Sequence, residues 1–140
     1  MHTSSAEQAI HSIRQVHDLI HQVFTDHHGQ GLAAIEQLMP VFAEDFSMVT
    51  TTGASVGRAQ VEQMFRGAVG ARAGLQIHLS EWQCVWQQPQ VAAIRYRETH
   101  RLGNSLTSRL SLAIIGLDQG SAQWLYLHET SCPPLPETPF

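Results

Sequence analysis

A glutamate and three histidines on predicted β-strands are the side chains best suited to acid–base chemistry in this chain: Glu98, His100, His128 and His78. An imidazole beside a carboxylate has a raised pKa and exchanges protons near neutral pH. We therefore expect Glu98, His100 and His128 to act as acid, base or ligand-orienting groups. In the structural alternative, Glu98 pairs with an arginine such as Arg109, and the histidines are ordinary strand residues.

The alternation of side chains along a strand indicates which residues face a pocket. On one predicted strand, 91–102, one face begins apolar and becomes polar toward its end, as in an apolar pocket with a polar mouth. That face carries Ala92, Ile94, Tyr96, Glu98 and His100, and the opposite face carries Ala93, Arg95, Arg97, Thr99 and Arg101. The last strand leaves the choice of face open, between Trp124, Tyr126, His128 and Thr130 on one side and Leu125, Leu127 and Glu129 on the other.

Two histidines of the first predicted helix, His17 and His21, have the i, i+4 spacing that lets two imidazoles bind one divalent metal. Two ligands do not make a metal site, and no His-Glu-x-x-His motif supports one. We therefore expect no metal and no cofactor. His17 lies at the edge of the apolar stripe of its helix, so it is a candidate pocket residue.

The elements that must position these groups are three helices followed by a sheet. Apolar residues repeat at helical period over 5–28, 32–42 and 58–69, and Pro40 predicts a kink or break in the second helix. After Gly74 the pattern alternates over four segments, 75–86, 91–102, 106–117 and 123–132, and short turns separate them. This order predicts an antiparallel meander with helices on one face, which is an α+β architecture. One domain spans 1–132, and a proline-rich tail, 133–140, follows as an extended or disordered arm.

The composition of the chain limits the classes of binding partner and the location that we expect. The chain of 140 residues has a formal charge of −4, with 12 acidic residues, eight arginines and no lysine, so nucleic acid and anionic membrane are not favoured. Residues 1–7 lack the pattern of a secretory signal, and no segment has the length of a membrane span, so we expect a cytoplasmic protein. Cys84 and Cys132 form no paired motif and are expected to be reduced structural thiols, with a disulfide as the less favoured alternative.

Four short motifs carry a resemblance to a known fold family. They are Phe42-Ala-Glu-Asp-Phe46, Thr52-Gly53, Val56-Gly57-Arg58 and the closing segment Trp124-Leu-Tyr-Leu-His-Glu-Thr130. Together with the order of elements, they resemble the nuclear transport factor 2-like superfamily, and within it the SnoaL-like branch of small bacterial proteins. The resemblance covers roughly residues 6–131. It implies a cystatin-like cone in which three N-terminal helices pack on a curved, mainly antiparallel sheet.

The resemblance does not choose a chemistry, because the superfamily contains isomerases, dehydratases, polyketide cyclases, hydrolases and carriers. Aligned with its steroid isomerases, this chain has Thr50 at the position of the catalytic acid, and the first helix contains no tyrosine to act as an oxyanion donor. A threonine cannot accept a proton near neutral pH as a carboxylate does. The resulting hypothesis is a small-molecule-binding protein with an apolar pocket between helices and sheet. The alternative is a small isomerase, cyclase or dehydratase that uses a His/Glu proton-transfer pair.

The side chains expected to contact a small apolar ligand combine aromatic or apolar residues with the polar groups already named, although the aromatics are equally suited to filling the core. They are His17, Phe24, Phe46, Met48, Thr50, Phe65, His78, Trp82, Tyr96, Glu98, His100, Tyr126 and His128. The resemblance also implies a homodimer through the outer sheet face, which would otherwise expose apolar area. The residues assigned to that outer face are Ala93, Arg95, Ala113 and Ile115.

Overall fold

The computed structural model describes residues 4–136 of the chain. Within that range there are three α-helices, two single-turn 3-10 helices (His27–Gly29 and Met39–Val41) and six strands. The α-helices are α1 (Ser5–Thr25), α2 (Gly31–Leu38) and α3 (Arg58–Gly67). The strands are β1 (Phe42–Val49), β2 (Ser55–Gly57), β3 (Gln76–Gln88), β4 (Val91–Leu102), β5 (Ser105–Asp118) and β6 (Ser121–Cys132).

Helix α1 begins at a side-chain cap, because Ser4 Oγ accepts a hydrogen bond from the backbone N–H of Glu7 at 3.1 Å. The helix ends at Thr25, three residues before the predicted end, because Asp26 adopts a left-handed backbone conformation with φ 47°. Aspartate tolerates that conformation better than most residues. The predicted break at Pro40 is confirmed, since α2 ends at Leu38 and Pro40 lies in the 3-10 turn that follows.

The six strands form one sheet in the order β2-β1-β6-β5-β4-β3. Strand β1 pairs with β6 in parallel, and every other pair is antiparallel. The last four strands are neighbours in chain order, which confirms the predicted meander. The helices pack on one face of the curved sheet, and the predicted α+β, cystatin-like architecture is therefore confirmed.

The core lies between that inner sheet face and the helices. Its largest fully buried side chains include Trp124, Tyr96, Phe46, Ile13 and Leu38. Each such side chain contributes about 1.5–3 kcal/mol when it is removed from water, so the apolar stripe of α1 and the inner positions of the strands account for much of the stability.

The expected membership of the outer sheet face is partly wrong. Ala113 pairs with Ile94 and Ile115 pairs with Ala92, so both belong to the inner face, where each is 0 % exposed. The error arises because β5 had no known register in the sequence, and directly opposed residues of paired strands always share a face. Arg95 does lie exposed on the outer side of β4.

The beginning of the tail is tied to the sheet. Arg97 is buried, and its guanidinium donates hydrogen bonds to Ser108 Oγ at 2.9 Å and to the backbone carbonyl of Pro133 at 3.1 Å. Strand β6 ends at Cys132, immediately before the predicted tail. The division into a domain, 1–132, and a tail, 133–140, stays a prediction, and residues 137–140 lie outside the described range. No helix between residues 4 and 136 is both long and apolar enough to cross a membrane.

Candidate functional site

A cavity of about 290 Å³ lies between the helices and the inner sheet face. Most of its wall is apolar, and a charged group of side chains occupies the rest. The apolar lining consists of Val16, Ile20, Phe24, Phe42, Met48, Val61, Met64, Phe65, Trp124 and Leu127. The charged and polar lining, which we call the charged wall, consists of His17, Arg72, Glu98, His100, Arg109 and Glu129.

Helical spacing places His17 in the cavity. Ile13, Val16 and His17 share the buried stripe of α1, and His17 is only 6 % exposed. Its Nδ1 lies 2.8 Å from the carbonyl oxygen of Ile13, one turn earlier in the same helix. That contact orients the imidazole so that Nε2 points toward the sheet.

Strand alternation places Glu98 and His100 together on the inner side of β4, where each is 4 % exposed. Glu98 Oε1 lies 3.0 Å from His17 Nε2, and Glu98 Oε2 lies 2.5 Å from His100 Nε2. Glu98 therefore contacts both His17 of the first helix and His100 of its own strand. Glu98 pairs with two histidines and not with Arg109, so the structural alternative named that partner wrongly.

Arg72 extends this network to the edge of the cavity. Its Nη1 lies 3.2 Å from His100 Nδ1, and the residue is partly exposed to solvent. A guanidinium only donates, so His100 Nδ1 accepts and the proton of the neutral ring sits on Nε2, facing Glu98. The result is a continuous line of hydrogen bonds from Arg72 through His100, Glu98 and His17 to the backbone of α1.

The hydrogen-bond partners of His17 and Glu98 determine the charge of these two side chains. Both nitrogens of His17 face acceptors, which is the arrangement of an imidazolium next to an ionised Glu98. Burial lowers the pKa of His17, but the Glu98 charge and the hydrogen bonds outweigh that effect, so the pKa is raised overall. Burial raises the pKa of Glu98, but the His17 charge and the hydrogen bonds from both histidines hold it well below its usual range.

A second acid–base pair, Arg109 and Glu129, lies beside the first. Arg109 Nη1 is 3.5 Å from Glu129 Oε2, and the two side chains are 25 % and 11 % exposed. Burial and the nearby Glu98 charge raise the pKa of Glu129, and Arg109 opposes them only in part. Glu129 is therefore a carboxyl group shifted toward the pKa that a general acid or base needs near neutral pH.

A β-bulge explains why the last strand could not be assigned from alternation. Ile114 pairs with Tyr126 and Ile115 pairs with Trp124, so Leu125 is an extra residue in β6. A bulge shifts the alternation by one residue. As a result Trp124, Leu127 and Glu129 all face the cavity, although the simple pattern divides them between the two faces.

Tyr96 and Trp82 support the cavity from behind instead of lining it. Tyr96 is 0 % exposed, stacks on Trp82 with ring centroids 5.5 Å apart and meets the His17 ring edge-on at 5.5 Å. Trp82 in turn lies under Arg14, whose guanidinium carbon is 4.7 Å from the indole ring. This stack packs against the imidazole of His17 and helps to fix its position.

The predicted ligand-binding residues divide into two groups. The structure brings six of them to the cavity: His17, Phe24, Met48, Phe65, Glu98 and His100. The other seven do not line it: Phe46, Thr50, His78, Trp82, Tyr96, Tyr126 and His128.

The residues placed elsewhere each have a physical reason. Phe46 is buried against Phe42, with ring centroids 4.7 Å apart. Thr50 follows the end of β1, and its hydroxyl lies 3.0 Å from that of Thr52 within a turn. His78 borders a separate surface groove between α1 and β3.

Tyr126 and His128 lie on the outer sheet face. The Tyr126 hydroxyl contacts His128 Nδ1 at 2.8 Å, and His128 is exposed to solvent. His128 is therefore not positioned to act with Glu98, and its assignment as a candidate catalytic residue of the pocket is wrong.

Three charged lining residues were not among the predicted ligand-binding residues: Arg72, Arg109 and Glu129. Arg109 is the residue directly opposite Glu98 on β5, so knowledge of the β4–β5 register would have revealed it. Arg72 lies in the irregular segment between α3 and β3, where no periodicity identifies the inward direction.

Between residues 4 and 136, no group of three or more histidine, cysteine or acidic side chains has the arrangement of a metal site. The two histidines with metal-like spacing have different partners. His17 contacts Glu98, whereas His21 Nε2 lies 2.7 Å from the carbonyl oxygen of Leu75.

Comparison with solved structures identifies the fold family. An NTF-2 like protein of unknown function from Pseudomonas aeruginosa is 30 % identical, with a TM-score of 0.83 over 90 % of this chain and 99 % of its own. A Nostoc punctiforme protein of unknown function with a cystatin-like fold is 14 % identical, with a TM-score of 0.68 over 97 % of this chain and 98 % of its own. A proposed scytalone dehydratase from Novosphingobium aromaticivorans is 13 % identical, with a TM-score of 0.63 over 90 % of this chain and 87 % of its own.

No protein-family model matches the chain, and no curated protein matches it. The two more distant structures show a shared fold alone, whereas the Pseudomonas relative shares nearly a third of its residues over almost its whole length. On this relative, and with the α+β architecture that the sequence had indicated, the chain belongs to the nuclear transport factor 2-like family.

Proposed function

We propose that this protein binds a small molecule with an apolar body in the cavity between the helices and the sheet. The observation that carries the proposal is the composition of the wall, in which ten apolar side chains enclose most of the cavity and six charged or polar groups converge on one part of it. Ligand sites in proteins combine an apolar lining with a few placed polar groups in this way. A volume of about 290 Å³ suits a molecule at the small end of the range that such sites hold.

The cavity has a way in for such a molecule. Met64 on α3 lines the cavity and is 51 % exposed, and Arg72, which belongs to the charged wall, is partly exposed. Glu98 and His100, in contrast, are almost fully buried. A ligand would enter past α3 and meet the apolar side chains before the innermost polar groups.

Native mass spectrometry of freshly purified protein, followed by denaturing extraction, tests the proposal. We expect a retained small molecule at one per subunit. The variant Met64→Trp should reduce its occupancy, because Met64 lines the cavity and the larger side chain takes up part of its volume, whereas the matched control Leu32→Trp should leave it unchanged, because Leu32 is 56 % exposed on α2 and does not line the cavity. Equal occupancy in wild type and Met64→Trp would place the ligand outside this cavity.

A second candidate function is proton transfer, as in an isomerase, cyclase or dehydratase. One observation favours it: His100 Nε2 contacts Glu98 Oε2 at 2.5 Å inside the cavity, next to Glu129 with its raised pKa. In this reading, Glu129 exchanges a proton with the substrate while the Glu98 network holds His17 and His100 in place. The extracted molecule, incubated with enzyme in deuterated water, should then gain deuterium at a carbon position or change its structure.

Substitutions separate the two candidates. Glu129→Gln should abolish turnover and leave binding intact, and the exposed control Glu62→Gln on α3, whose partner is Arg66, should change neither. A retained molecule that undergoes no exchange and no conversion would reject catalysis on it while leaving the binding proposal in place.

We also propose that two copies associate through the outer sheet face. Four aliphatic side chains at alternate positions of β5, namely Leu106, Leu110, Leu112 and Ile114, are only partly buried there, and Trp86 on β3 is 50 % exposed. An uncovered face of an antiparallel sheet normally alternates to polar residues, so this apolar row favours a second copy as its cover. Light scattering should report a dimer, and Leu112→Glu should shift it toward the monomer.

A cytoplasmic location stays a prediction.

A further inference from the structure

The charged wall of the cavity holds more positive than negative charge. His17 and Glu98 share a proton, so the pair is neutral in total wherever that proton lies. The groups left are two cations, Arg72 and Arg109, and one anion, Glu129. His100 adds no negative charge in any protonation state. The wall therefore carries at least one uncompensated positive charge, and protonation of Glu129 would increase that excess.

Arg72 is the cation without a carboxylate partner. Among the described residues, its side chain makes one hydrogen bond, to His100 Nδ1, and no ion pair. Its guanidinium carbon also lies 5.8 Å from the centre of the Phe24 ring. A guanidinium carries five N–H donors in a planar fork that matches an oxyanion. Arg109, in contrast, is already paired with Glu129.

The backbone around Arg72 holds this residue in place. The N–H of Arg72 donates to the carbonyl of Phe24 at 2.9 Å, and the N–H of Gly70 donates to the carbonyl of Val23 at 3.0 Å. The carbonyl of Arg72 accepts from Leu75 at 3.1 Å, at the entry to β3. The segment is thus fastened to the end of α1, and the contact of Nη1 with His100 Nδ1 orients the guanidinium before any ligand arrives, which reduces the entropy lost on binding.

We propose that the ligand of the cavity is an anion, namely a small carboxylic acid with an apolar body, whose carboxylate is bound by Arg72. This inference rests on the proposed function and adds the chemical class of the ligand to it. The carboxylate supplies the negative charge that the wall lacks and takes the free donors of Arg72. The apolar body then lies against the apolar lining of the cavity, beginning with Phe24, whose ring neighbours the Arg72 guanidinium.

Matched pairs of acids and amides test the charge requirement. Octanoate and octanamide, and 4-phenylbutanoate and 4-phenylbutanamide, each have the same body and differ in head-group charge. Titration calorimetry on the full chain, after removal of any retained molecule, should show each acid binding at least about tenfold more tightly than its amide, or about 1.4 kcal/mol. Acid and amide of equal affinity would overturn the anion inference and still support the proposed binding function.

Variants locate the effect. Arg72→Gln should bring acid and amide to similar affinity, Arg72→Lys should keep part of the preference, and the control Arg66→Gln, an exposed arginine of α3, should keep all of it. A preference for acids that survives Arg72→Gln in a folded variant would overturn the assignment to Arg72. If none of the four probes binds, the acid class is rejected, while a neutral molecule found by native extraction would still support the proposed function. The comparison of acid with amide in wild type needs no variant, so misfolding of Arg72→Gln would leave the charge requirement tested.

Discussion

Glu98 Oε1 lies 3.0 Å from His17 Nε2, and this contact joins residues 81 positions apart, one on the first helix and one on the inner side of the sheet. Both side chains are almost fully buried, at 6 % for the histidine and 5 % for the glutamate. A buried ion pair of this kind is costly to break, because each partner would be left as an unpaired polar group away from water. The contact therefore fixes α1 against β4 at the wall of the cavity.

Removal of one partner should show this cost. We expect His17→Leu to lower the free energy of unfolding by about 3 kcal/mol, since Glu98 would keep only His100 as a partner. The exposed control His11→Leu, on the same helix, should change the stability by less than about 0.5 kcal/mol. Urea unfolding of both variants measures the difference. Equal stabilities of wild type and His17→Leu would show that the ion pair stabilises the protein no more than a leucine at position 17 does.

The pKa directions predict how stability depends on pH. The raised pKa of His17 gives stability that is complete below its ordinary value of 6.5 and is lost as the pH rises through the folded value. The lowered pKa of Glu98 gives stability that is complete above 4.5 and is lost as the pH falls through the folded value. The pair should therefore contribute most between pH 4.5 and 6.5.

The pKa of Glu129 is also raised, and this group reduces stability as the pH rises above 4.5, so the contribution of His17 is measured as a difference between wild type and a variant. The difference in unfolding free energy between wild type and His17→Gln should be largest between pH 4.5 and 6.5. It should become smaller as the pH rises above that range. A difference that stays constant from pH 6.5 upward would contradict a charged His17.

Tyr96→Phe should not destabilise the protein. The Tyr96 hydroxyl is buried and has no partner with hydrogen-bond geometry among the described residues. An unsatisfied buried hydroxyl costs about 1–3 kcal/mol, so its removal is expected to be neutral or to raise the melting temperature. The matched case is Ser12→Ala, which should destabilise by about 1 kcal/mol because Ser12 Oγ accepts from Trp124 Nε1 at 3.1 Å. A loss of stability in Tyr96→Phe would reveal a hydrogen bond of the hydroxyl, with the neighbouring Ser111 as the first candidate partner.

Arg97→Met should lower stability by about 2 kcal/mol, because it removes a buried donor from Ser108 Oγ and from the carbonyl of Pro133. Arg95→Met, at an exposed position two residues earlier on the same outer side of β4, should change stability by less than about 0.5 kcal/mol. Chemical denaturation provides both values. Equal stabilities of wild type and Arg97→Met would show that these hydrogen bonds do not stabilise the fold.

Most of the architecture was predictable because it depends on local patterns. The helical period of Ile13, Val16 and His17 determines the buried side of α1, and strict alternation places Tyr96, Glu98 and His100 on one face of β4. Where the pattern is interrupted, prediction failed. The extra residue Leu125 changes the inward direction of β6, and the bulge at Glu81, with φ 56°, turns the Trp82 segment of β3.

By itself, then, the sequence determined the order of the elements, the apolar sides of the helices and strands, and the placement of Glu98 and His100 on a common inner face. These properties follow from periodicity, which acts between residues close in the chain. Only the tertiary structure decided which groups meet in space. It joined His17 to Glu98, brought Arg72 to His100 and placed Arg109 and Glu129 on the same wall. Strand register, bulges and the docking of an irregular segment depend on contacts between distant residues, so no local pattern contains them.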